Sequence, residues 1–148
     1  MDISFIVLTR NSEKYINSCL VSLIANLDDT NLSFEIFVVD NGSSDSTADV
    51  LRFFQKKYPD VIKPIFFEKN GGTTYTRNCA IKRSSGKYIG VMDSDVEIER
   101  GAIKKLIKTL DSDVRIGLAA PRLFYADGHQ QKSFDDFPTL SSKCKRYL

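Results

Sequence analysis

Two aspartates, Asp93 and Asp95, stand one residue apart at the end of the apolar run Tyr88-Ile89-Gly90-Val91-Met92. In extended backbone, residues two apart face the same side, so both carboxylates can address one point beyond a strand end. Paired hard oxygens suit Mg²⁺ or Mn²⁺, ions that keep several waters and share their other positions with phosphate oxygens. A cation held there would neutralise a diphosphate. A D-x-D triplet by itself is common and serves equally to cap a helix or solvate a loop; its place at the end of an apolar strand is what favours the metal. Asp40 closes a second apolar run and is followed by Asn41-Gly42-Ser43-Ser44. Its carboxylate can accept the N–H of a pyrimidine ring or hold a ribose hydroxyl, or it can merely tie its own turn in an Asx arrangement. Arg77 follows the pair Gly71-Gly72 and can reach a phosphate or a base, or lie solvated. Thr9 closes the first apolar run. Neither the P-loop spacing nor G-x-G-x-x-G occurs, so those phosphate-binding devices lack their residues.

These residues need a scaffold that brings three chain ends together. Ile3 to Leu8 is apolar except for Ser4, as a strand buried on both faces requires. Asn11 or Ser12 is expected to cap the next helix, whose stripe Ile16, Cys19, Leu20, Leu23, Ile24 and Leu27 has helical spacing. Phe34 to Val39 predicts a second strand, and about Ser46 to Lys57 a helix with Val50, Leu51 and Phe54 inward. Val61 to Glu68 predicts a third strand, placed at an edge because Pro64 cannot donate to a ladder. A helix from about Thr73 to Arg83 is expected to close on Gly86 in the left-handed C-terminal position. Strand four, Tyr88 to Met92, runs into Asp93. A helix bearing Ile103, Leu106, Ile107 and Leu110 follows, then a strand around Ile116 to Tyr125 and a turn at Asp127-Gly128. This alternation specifies an α/β fold, a mostly parallel sheet with helices on both faces. Ligands in such sheets bind beyond the carboxyl ends of the strands, so Thr9, Asp40 and Asp93 should gather at one edge.

Composition removes other classes. With 148 residues a single domain buries roughly 68–70% of its unfolded surface, so it needs no disulfide or structural metal. The balance of 21 basic against 19 acidic side chains, without a block of like charge, argues against nucleic acid as a partner. Three scattered cysteines, no C-x-x-C and one histidine leave zinc without ligands. Sparse thiols, with Cys19 on a buried stripe, and an N-terminus without a basic signal region point to the cytoplasm.

The segments Phe5–Asn11 (FIVLTRN), Phe37–Asp45 (FVVDNGSSD), Asn70–Gly72 (NGG) with Thr76–Asn78 (TRN), and Tyr88–Asp95 (YIGVMDSD) resemble, in order and interval, the successive blocks of GT-A fold, family 2 glycosyltransferases. The resemblance spans residues 3 to about 125. Pro121–Gln131 and Phe137–Leu140 are similar to the rhamnosyltransferase-like branch. The resemblance implies a Rossmann-like nucleotide-sugar-binding half over 1–125 and the start of an acceptor-side region over 126–148. It implies that Thr9 and its loop contact the nucleotide, Asp40 binds the base, and Arg77 helps on the base or phosphate side. Asp93 would hold ribose or a metal-bound water, and Asp95 would ligate Mn²⁺ or Mg²⁺. The implied reaction moves a sugar from a nucleotide diphosphate, UDP- or dTDP-linked ahead of GDP-linked, to a glycan or lipid-linked acceptor with inversion. Membrane association of a full-length enzyme belongs to the same expectation.

In that family the catalytic base follows the D-x-D block by more residues than the 53 that remain after Asp95. Asp127, Asp135 and Asp136 are the late acids here, and none matches the base, so the chain is expected to hold the donor half of a longer enzyme, with uncovered apolar surface prone to self-association. Two other classes place acids at strand ends. A non-enzymatic nucleotide-binding module would use the same cleft. A phosphoacceptor receiver would want acids where Thr9-Arg10 stands, and a D-x-D-x-T phosphatase would want threonine where Glu97 stands.

Overall fold

The computed structural model describes residues 1–132 of the chain. Two compact units divide it, Met1–Lys105 and Leu106–Leu148. The first holds four strands, β1 (Ile3–Thr9), β2 (Phe34–Asn41), β3 (Ile62–Phe67) and β4 (Tyr88–Asp93), with helices α1 (Ile16–Asp28), α2 (Thr47–Lys57) and α3 (Thr73–Ile81) between them; α4 (Ala102–Ser112) follows. The strands form one wholly parallel sheet in the order β3-β2-β1-β4. The chain winds from β1 outward to β3, then returns across the sheet to β4. Right-handed crossovers therefore put α1 and α2 on one face and α3 on the other. Ala80 of α3 accordingly packs with Ile6, Leu8, Phe37 and Val39. The reversal of winding falls between β1 and β4, the place where a crevice opens in such sheets.

Local chemistry accounts for the elements. The continuous apolar runs became the two central strands, and every residue of the expected α1 stripe is buried. Asn26 is buried on that helix too, which an apolar period does not show. Pro64 lies on β3, an edge strand as expected. β4 forms the opposite edge and leaves Ile89 and Val91 exposed. Among the described residues no helix is long and apolar enough to cross a membrane.

Three expectations change. Asn11 and Ser12 do not cap α1 through their side chains: the helix begins at Ile16, and Asn11 takes a left-handed φ of 50° that turns its amide toward the next loop. α3 stops at Ile81 on the C-cap Lys82, so Gly86 does not close it. Gly86 is required for another reason, because a Cβ there would sit 2.4 Å from the backbone nitrogen of Ser4. The strand around Ile116 to Tyr125 does not form among the described residues. Pro121 lacks a donor, Val114 and Leu118 are exposed, and without burial or a partner strand among the described residues apolar content alone does not hold extended backbone. What remains is a turn with Gly128 at φ 87°, closed by one antiparallel bridge, Phe124 to Gln130. Asp127 is exposed in that turn. Asp135, Asp136, Cys144 and the 137–140 stretch lie outside the described residues.

The amino edge of the sheet carries a polar knot. Glu35 of β2 is 1% exposed and sits beside Ser4 of β1 in the register. Its Oε1 accepts from Ser4 Oγ at 2.6 Å and from the Ser85 amide and hydroxyl, each at 3.0 Å, while Oε2 pairs with Lys63 of β3. Burial pushes this carboxyl up, but the hydrogen bonds from Lys63, Ser4 and Ser85 outweigh it and hold it down at about 2. One side chain thus ties β1, β3 and the entry to β4 onto β2.

Candidate functional site

At the opposite edge the parallel register does the gathering. Thr9 lies across from Asp40, and Leu8 across from Asp93, so the three strand-terminal residues share one rim, as the alternation predicted. Arg77 and Asp95 join them from α3 and from the turn after β4.

Each rim residue has a distinct environment. Thr9 is buried, and its Oγ1 has no hydrogen-bond partner. Asp40 is buried, and its Oδ1 accepts from the Ser43 amide at 3.0 Å and the Ser43 hydroxyl at 2.5 Å. The Asx role is therefore real, and it occupies one oxygen only. Among the described residues Oδ2 makes no hydrogen bond, which leaves it for a donor entering the cleft. Arg77 pairs with Asp93 and not with Asp40, and its buried Nε has no partner. β4 ends at Asp93 and Ser94-Asp95 forms a turn, so the expected extended parity stops one residue early. Both acids still face solvent, because Ser94 between them is drawn inward. Its amide donates to Leu8 O at 3.1 Å and its hydroxyl to Ser12 Oγ at 2.9 Å.

The loops are laced together by contacts that sequence reasoning did not foresee. The Asn11 amide donates to Ser43 Oγ at 2.9 Å, and Asn11 Oδ1 accepts from the Ser44 amide at 2.8 Å. The Ser12 amide donates to Thr47 Oγ1 at 2.8 Å, and the Glu13 amide to Asp45 Oδ2 at 3.2 Å. Asn41 donates to Asn70 Oδ1 at 2.9 Å and accepts from the Gly71 amide at 2.8 Å, which fixes the turn at the start of α3. Gly42 meets that turn so closely that a Cβ would lie 2.6 Å from Lys69 C. Small polar residues at loop positions are the only advance signal for this lacing, and they do not name their partners.

Cys19 lies behind the rim, with Sγ 3.9 Å from Asp93 O. Burial, and then the nearby carboxylates of Asp95 and Glu97, push the thiol up to about 12. Cys19 is thus a structural thiol that stays protonated and inert. In native protein treated with iodoacetamide at pH 8, peptide mapping should find Cys19 unmodified and Cys79, which is partly accessible, labelled. Comparable labelling of both would contradict the packing.

No three potential ligands cluster among the described residues. Asp93 and Asp95 offer two exposed hard-oxygen donors, which fits Mg²⁺ or Mn²⁺ completed by water and phosphate, and does not fit a closed protein cage. The rim thus combines those carboxylates, the Arg77 guanidinium paired with Asp93, and the Asp40 carboxylate with one oxygen tied to Ser43.

The chain is 37% identical over 120 residues to the poly(ribitol-phosphate) beta-glucosyltransferase of Bacillus spizizenii, an alignment covering 79% of this chain and 19% of that protein. The crystal structure of S. aureus TarS 1-349 in complex with UDP-GlcNAc superposes with a TM-score of 0.64 at 27% identity, over 86% of this chain and 42% of that one. The mannosyltransferase PcManGT of Pyrobaculum calidifontis, in complex with GDP-Man and Mn²⁺, shares the fold at a TM-score of 0.67 and 23% identity, over 78% of this chain and 33% of that one. The chain therefore spans less than half the length of these proteins. The family model described as glycosyl transferase family 2 matches residues 4–146, nearly the whole sequence and all four blocks of the rim, and the chain belongs to glycosyl transferase family 2.

Proposed function

We propose that this chain is the donor-binding part of an inverting glycosyltransferase, with residues 1–125 holding a nucleotide-diphosphate sugar and 126 onward beginning the acceptor side. The observation that carries the reading is the register that sets Thr9 and Asp40 side by side and Asp93 one step away, at the switch between β1 and β4. Asp40 Oδ2 takes the ring N–H of a pyrimidine or a ribose hydroxyl, and Thr9, whose buried Oγ1 has no partner, ends the neighbouring strand beside it. Asp93 and Asp95 would hold Mn²⁺ or Mg²⁺, which when bound supplies charge to a leaving diphosphate. Arg77 steadies Asp93 and adds positive charge on the phosphate side. The likeness to TarS with UDP-GlcNAc supports a UDP-linked donor, and a dTDP-linked one would offer Asp40 the same pyrimidine ring N–H. The acceptor is a hydroxyl of a glycan or lipid-linked molecule, and a carboxylate base elsewhere in the whole enzyme takes its proton.

Calorimetry with UDP, dTDP and GDP, with and without Mn²⁺, tests this. UDP should bind more tightly with Mn²⁺, and a ligand at 100 times its Kd should stabilise the fold by about 2.7 kcal/mol. Asp95→Asn should remove the gain from Mn²⁺ and leave metal-free UDP binding unchanged. Equal metal dependence in wild type and Asp95→Asn would reject Asp95 as a ligand.

A further inference from the structure

Asp95 belongs to an irregular stretch, residues 94–101, that has neither helix nor strand to hold it. Two points bracket the acid. The first is Ser94, fixed to β1 and Ser12 as described. The second is Ile98, whose backbone is bound on both sides by α1: its N–H donates to Ser22 Oγ at 3.0 Å and its carbonyl accepts from Asn26 Nδ2 at 3.0 Å. Ser22 and Asn26 lie four apart on one helix face, continued by Cys19 and by Asp29, which pairs with Arg100 at 3.1 Å. The outer pair is exposed and contributes little. The inner two are themselves held in place by α1. The Ser22 hydroxyl donates to Cys19 O at 2.9 Å and so turns a lone pair to Ile98, while the second Nδ2 proton of Asn26 goes to Ser22 O at 3.0 Å. An open groove of about 350 Å³ lies between α1 and this stretch, so close apolar packing does not substitute for these bonds.

We infer that Ser22 and Asn26 are positioning residues for Asp95: the polar face of α1 serves as a template that sets the metal-facing turn. The inference rests on the donor reading above, because positioning matters only if Asp95 ligates a cation. Asn26→Asp is nearly isosteric, loses both donors and sets a carboxylate against two carbonyls. Residues that orient metal ligands typically cost 10–100-fold in metal affinity when changed. The test uses the 148-residue chain and two readouts. In hydrogen exchange, Asn26→Asp should speed the amides of residues 95–99 about tenfold or more and leave those of β1 and β2 unchanged. In calorimetry it should weaken UDP binding in the presence of Mn²⁺ by about 10–100-fold, with metal-free UDP binding unaltered. Ser22→Ala should act in the same direction, and Ser22→Thr, which keeps the hydroxyl, should restore wild-type values; this pair decides the matter if Asn26→Asp does not fold. Unchanged exchange over 95–99, or fast exchange with wild-type Mn²⁺–UDP affinity, would overturn the inference while leaving the donor reading intact. A wild type in which Mn²⁺ adds nothing to UDP binding would sink the metal reading itself, and the positioning role with it.

Discussion

Replacing Glu35 by alanine is expected to lower the stability of the fold by about 2 kcal/mol, read as a shift of the urea midpoint. The substitution leaves the buried Ser4 hydroxyl without its acceptor, which costs about 1–3 kcal/mol, and loosens the exposed Ser85, whose amide keeps only a longer bond to Ser4 Oγ at 3.3 Å. Lys63 adds less, since it is partly exposed and recovers its hydration. The pH dependence follows from the depressed carboxyl. Its folded value is about 2 against an ordinary 4.5, so the unfolded chain takes up the proton first as pH falls. The stabilisation is complete above about pH 4.5 and is lost on the way down through about 2. Wild-type stability should decline across that window, and Glu35→Gln should show a shallower decline. Identical acid profiles would mean that the knot contributes nothing.

Gly86→Ala is expected to cost at least as much, for a steric reason. The added Cβ would lie 2.4 Å from Ser4 N and 2.7 Å from Ile3 C. Those are backbone atoms of β1, which hydrogen-bonds to β2 on one side and β4 on the other and cannot withdraw. Overpacking of this kind costs typically about 1–3 kcal/mol, and here the upper end applies because no flexible side chain is available to yield. Gly117→Ala is the matched control: nothing lies within 4 Å of its Cβ position, so its effect should stay within about 0.5 kcal/mol. Gly86 also precedes β4, so the variant should bind UDP with Mn²⁺ less tightly than the control. Equal urea midpoints for the two alanine variants would refute the close approach.

The contrast between these residues and the rim shows what was legible in the amino-acid sequence. β1, β2 and α1 were readable because apolar periodicity is local, and Pro64 marked an edge because its missing N–H is a property of one residue. The convergence of Thr9, Asp40 and Asp93 followed from parallel topology without knowledge of any contact. Glu35 was different: one acid inside an apolar run, with partners Ser4, Lys63 and Ser85 supplied by three other segments, so no window of sequence contains the reason for it. Gly86 was assigned to a helix cap because local rules know helix ends but not the approach of a distant strand. Ser22 and Asn26 were passed over for the same reason, as their partner Ile98 is more than 70 residues away. The stretch from Ile116 shows the converse, where local apolar content predicted a strand that finds no partner strand among the described residues.

The order β3-β2-β1-β4 has a kinetic consequence. β1, α1 and β2 can assemble from neighbours in the chain, whereas β4 must find β1 after everything between them has been made, and Ser94 meets Ser12 across 82 residues. Loop closure of that span is unfavourable until the reward of pairing arrives, so the β1–β4 junction should be among the last contacts to form during folding. The crevice that gathers Thr9, Asp40, Asp93 and Asp95 therefore comes into existence only when the sheet is complete. A partly folded chain would have its hydrophobic centre and no binding rim, which makes ligand-dependent stabilisation a sensitive report of whether the last strand has docked.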